Sequence, residues 1–145
     1  MRRLFVAVLF LVTLGAFAWA WAGEEASFPE LKAFHDLIAK AWHTHYPQDD
    51  FASLRKMAPD FVKAADVLVK AKLPPTLQKR QSVFDMRSKV LALKADEFAA
   101  TAKKNDDAAL KKATVALHEA FHDLVSGLYS KADPEEGGEC TAPEK

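Results

Sequence analysis

The chain has 145 residues, with 20 Lys+Arg against 20 Asp+Glu, five His and one Cys. That length suits one domain. The even charge leaves no basic face for nucleic acid, and a lone Cys140 excludes an intrachain disulfide.

The first stretch reads as a leader. Arg2 and Arg3 precede an almost wholly apolar run, Leu4 to Trp19, and Ala20-Trp21-Ala22 puts small residues before Gly23. This is the pattern of a secretory signal peptide over residues 1–22, cleaved after Ala22. The run is short for a membrane-spanning helix, so no membrane association is expected once it is removed. Loss of Arg2 and Arg3 leaves 18 basic residues against 20 acidic ones, and the product is periplasmic or secreted.

Residues 23–133 hold four amphipathic segments and no alternation that argues for strands. Segment one runs from about Ser27 to Tyr46, with a capping box from Ser27 and Glu30 and Pro29 in the first turn. Its stripe is Phe28, Leu31, His35, Ile38, Trp42 and His45, while His43 points away. Segment two, about Asp50 to Lys72, repeats Phe51, Leu54, Ala58, Phe61, Ala65 and Leu68; Pro59 either kinks it or restarts it, and Pro74-Pro75 ends it.

Segment three, about Thr76 to Lys104, carries Leu77, Phe84, Leu91 and Phe98 at sevenfold spacing. Val83, Met86, Val90 and Leu93 form a second stripe, read as core, and Asn105 is placed as a left-handed stop. Segment four, about Asp106 to Ser130, starts on a cap from Asp106 or Asp107 and buries Leu110, Thr114, Leu117, Phe121, Leu124 and Leu128. From Pro134 the tail, residues 134–145, is acidic and reads as disordered. Short links between four helices predict an all-α, up-down-up-down four-helix bundle.

The chemistry concentrates in Ala116-Leu117-His118-Glu119-Ala120-Phe121-His122. Histidines four apart on a helix stack on one side, and two such rings can share one metal ion. In an antiparallel bundle His35, about eight residues into helix one, and His122, about eight from the end of helix four, both lie roughly 12 Å from one end. His118 is about one turn, or roughly 6 Å, deeper. His35, His118 and His122 are therefore expected to converge as ligands for Zn, Cu, Fe or Ni, with Asp85 or Met86 of helix three as a completing group. His45 reads as a boundary residue under Pro47; with His43 it is a weaker second pair. The same segment matches H-E-x-x-H, but no strand provides a substrate edge and the downstream carboxylates lie in the tail, so no peptidase is expected.

With its four helices, the Leu73-Pro74-Pro75 turn before helix three and Phe121-His122 late in helix four, the chain resembles the periplasmic four-helix cytochromes, the cytochrome b562 and cytochrome c′ group, over about Ser27 to Ser130. The resemblance implies His122 as a helix-four haem ligand and His35 near the helix-one ligand, where b-type members carry Met. No C-x-x-C-H is present, which excludes covalent haem. Three expectations stand side by side: an exported metal-binding bundle using His35, His118 and His122, a b-type haem electron-transfer protein using His35 and His122, and a metal-free envelope interaction or stress protein.

Overall fold

A computed structural model describes residues 28–130. The expected leader and its expected cleavage site, Ser27 and the segment with Cys140 lie outside them. Four helices make an all-α, up-down-up-down bundle. Helix α1 spans Pro29–Lys40 and runs on through a π turn, Ala41–His45, and a 3-10 turn, Tyr46–Gln48. Helix α2 spans Phe51–Lys70, α3 Gln81–Ala102 and α4 Asp107–Tyr129. A 3-10 turn, Pro75–Arg80, precedes α3. Among the described residues no helix is long and apolar enough to cross a membrane.

Local chemistry sets these boundaries. Asp50 caps α2 by accepting from the Ser53 amide at 3.1 Å, and Asp106 caps α4 by accepting from the Ala109 amide at 2.9 Å. Each satisfies one amide that the first turn cannot pair internally. Pro59 lies on the exposed side of α2, and the helix runs through it unbroken. Helix α1 starts at Pro29, after a Phe28 that offers no side-chain cap. Asp49, at φ 50°, makes the left-handed turn between α1 and α2. Among the described non-glycine residues no other has positive φ, so Asn105 does not stop α3 in the expected way; that helix closes through the Lys104 amide on the Thr101 carbonyl at 2.9 Å.

The core is a run of phenylalanines bridging all four helices. Phe34 packs on Phe61 at 5.6 Å and on Phe121 at 5.4 Å, and Phe61 meets Phe98 edge-on at 5.4 Å. Phe28 stands edge-on to Phe84 at 5.6 Å. These are the separations at which aromatic pairs add to simple area burial. Buried Ser88 and Thr114 donate to the Asp85 and Leu110 carbonyls one turn back. Among the described residues no buried side-chain nitrogen or oxygen lacks a partner.

Two stripes differ from the reading of the sequence. On α1 the buried residues are Leu31, Phe34 and Ile38, so His35 sits on the shoulder of the core and Phe34 takes the place assigned to it. On α3 the inward residues are Phe84, Ser88, Leu91, Ala95 and Phe98, whereas Met86, Val90 and Leu93 are 61%, 47% and 56% exposed. Seven-residue spacing lets only one of two opposed stripes face the bundle, and the phenylalanine stripe buries more apolar area.

Candidate metal site

Aromatic rings and imidazoles join α1 to α4. Phe121 of α4 is stacked on Phe34 and, from its edge of the core, faces the His35 ring at 5.9 Å and 21°. Further along, the indole of Trp42 lies flat on the His118 imidazole, with centroids 3.8 Å apart and planes 7° from parallel. Tyr46, one turn on from Trp42, also stacks on the indole, at 4.5 Å. The π turn Ala41–His45 carries Trp42 and His43. It widens the helix by one residue where the indole meets α4, a distortion that often accompanies functional positions.

On α4 itself His118 and His122 stand one turn apart with ring centroids 4.9 Å apart and planes at 57°. His118 is half-buried under Trp42, and His122 is exposed. A metal 2.0–2.1 Å from an imidazole nitrogen lies about 3.2 Å from that ring's centroid. Two rings at 4.9 Å then subtend an angle of about 100° at a shared ion, between the octahedral and tetrahedral values. The pair has the span a two-point imidazole chelate needs.

Electrostatics favour the neutral form of His118. Burial lowers its pKa below 6.5, the nearby charges of His122 and then His43 lower it further, and Glu119 opposes them. His118 therefore stays neutral, with a lone pair to offer, at pH values where an open histidine takes up a proton.

The three-histidine layer expected of His35, His118 and His122 is not assembled. Among the described residues no group of three or more His, Cys, Asp or Glu is arranged to hold a metal. His35 is level with the right part of α4, where its ring stacks on Phe121. Consecutive helical residues point about 100° apart, so the face that offers Phe121 to α1 turns His122 outward. Neither completing group from α3 joins in: the Asp85 carboxylate accepts from Gln81 at 2.7 Å, and Met86 faces out. His45 is held at the α1–α2 turn, its Nδ1 2.9 Å from Asp50 Oδ2, while His43 is exposed.

Periodicity places Trp42 on the stripe of helix one but does not reveal it as the cover of His118, a contact made from within the π turn. A second sequence signal is the pair of large aromatics, Trp42 and Tyr46, spaced for stacking. Beyond Tyr46, Lys111 of α4 pairs with Asp49 at 2.7 Å and lies 5.5 Å above the Tyr46 ring, closing the far side of the seam. No family model matches this chain, and neither a curated protein nor a solved structure matches it.

Proposed function

We propose that this chain is an exported four-helix bundle that binds one divalent transition-metal ion through His118 and His122. The observation that carries the reading is the one-turn pair itself, 4.9 Å between rings and spaced for a single ion. Because both ligands sit on one rigid helix, binding orders little chain. The exposed position of His122 leaves the remaining coordination positions open to water or a further ligand. Imidazole donors suit Zn, Cu, Ni or Fe. His35 belongs to this shell only if its ring leaves Phe121.

The haem reading implied by the cytochrome resemblance asks for more. A porphyrin between His35 and His122 has to enter the α1–α4 seam and displace Phe121, which is 6% exposed and packed on both Phe34 and His35. As packed, these residues do not fit the group, so the bare ion is preferred.

Calorimetric titration with Zn²⁺ near pH 7.5 tests the proposal, with the N-terminus of the exported protein read by mass spectrometry. One site is expected, weakened at least about tenfold by His118→Ala and by His122→Ala and little changed by His35→Ala. Affinity should fall as the solution is acidified, since a protonated imidazole cannot bind. A His122→Ala variant that binds as the parent does removes this site, and a parent that takes up no ion leaves a metal-free interaction protein. A Soret band on adding haem, lost in His122→Ala, points instead to the cytochrome-like reading. An exported protein that keeps Met1 contradicts the leader.

A further inference from the structure

The outward stripe of α3 is apolar at coiled-coil spacing and has no partner in the bundle. Val83, Met86, Val90 and Leu93 follow a three-four-three rhythm over two heptads, with Met86, Val90 and Leu93 between 47% and 61% exposed. Single exposed apolar residues are ordinary, but an aligned row of this rhythm is the seam by which two helices pack.

The charges beside the row say what fits it. Lys89 and Asp96 flank it on one side, a heptad apart, and both are exposed. Neither forms an ion pair among the described residues. Against a second copy running parallel, Lys89 meets Lys94 of that copy. In the antiparallel register that sets Val90 against Met86 of the second copy, Lys89 meets its own counterpart. Sliding by one seam position sets Val90 against Leu93 of the second copy, and Lys89 then meets Asp96 twice, once on each side of the two-fold axis. Such flanking pairs choose partner and orientation in helix pairing.

The opposite flank of this register puts Arg87 near Lys94 of the second copy. Arg87 is turned back across α4, donating to the Asp123 carbonyl, and Lys94 is held by Glu97 at 2.7 Å, so neither charge stands bare at the seam. We infer that this face of α3 pairs antiparallel with α3 of a second copy, Val90 on Leu93 and Lys89 on Asp96. The row is short, below the span of a standard stable interface, so the dimer is a weak, concentration-dependent one.

Sedimentation velocity on the whole chain, under reducing conditions from about 10 μM to about 1 mM, tests the pairing at the concentrations where weak interfaces fill. A monomer–dimer equilibrium is expected. Leu93→Glu should weaken it at least about tenfold, since a charge then enters the seam. Lys89→Glu and Asp96→Lys should each weaken it about threefold or more, because each attraction becomes a repulsion on both sides of the axis. The combination of the two should restore the parent dimer. All three positions are exposed, and circular dichroism should confirm an unchanged helix signal. A chain that stays monomeric throughout, a dimer indifferent to Leu93→Glu, or a charge exchange that fails to restore pairing overturns the proposal.

Discussion

Replacing Phe34 by Ala tests how α1 is turned in the bundle. Phe34 is fully buried and touches Phe61 of α2 and Phe121 of α4, so its ring ties three helices together. Truncation removes its transfer free energy and leaves a cavity that stiff neighbouring rings cannot close, a loss of about 3–5 kcal/mol. For a domain of roughly 100 residues each kcal/mol moves the melting midpoint by about 4 °C or more, which gives a fall of about 12–20 °C. His35 next to it is half-buried and loses one stacked contact, worth about 1 kcal/mol, so His35→Ala should move the midpoint by about 4 °C. Differential scanning calorimetry of the two variants beside the parent reads both numbers. If His35→Ala costs as much as Phe34→Ala, α1 is rotated away from this packing and His35 belongs to the core.

Two further outcomes follow from single contacts. The pKa of His118 is lowered on folding, so the unfolded chain binds the proton more readily. Its contribution to stability is therefore complete above about pH 6.5 and is lost as pH falls from there toward its folded value; His118→Gln should flatten the pH dependence of urea unfolding across that window, and identical slopes in parent and variant would refute the assignment. A Cβ on Gly127 comes within 2.9 Å of the Arg87 guanidinium group; Gly127→Ala gains about 1 kcal/mol of helix propensity but displaces that side chain, so it should stabilise an Arg87→Ala background more than the parent, and additive effects in urea unfolding would deny the contact.

The helices were legible chiefly where their ends carry a signal. Asp50 and Asp106 cap where their spacing to the following run places them, and Pro74-Pro75 stands between two periodic segments. What the sequence did not decide was rotation. On α1, both Phe34 and His35 continue the spacing from Leu31, and only packing against Phe61 and Phe121 selects Phe34. On α3, apolar residues stand on two sides, so periodicity names two stripes without ranking them; the size of Phe84, Leu91 and Phe98 settles it. The histidine layer failed for the same reason. Depth along a helix follows from counting residues, but direction around it depends on a few tens of degrees that counting does not supply. The spacing of His118 and His122 was legible because they share one helix and need no second element to bring them together.

Phe28, before α1, rests on Phe84 near the start of α3, and the carbonyl of Ser130, after α4, is held by Arg80 at 2.7 Å. Both exits from the bundle therefore open at one pole, beside the Pro75–Arg80 turn, while Asp49, Lys111, Arg55 and Asp107 tie the other pole shut. Closely placed ends make the bundle a natural insert: it can be spliced into a loop of another protein, or its ends can be joined and the chain reopened near Lys103, without stretching any helix. The same geometry sets its posture when anchored. A bundle held by either end stands on that pole and presents its long sides, the His118–His122 flank and the α3 stripe, outward along its length.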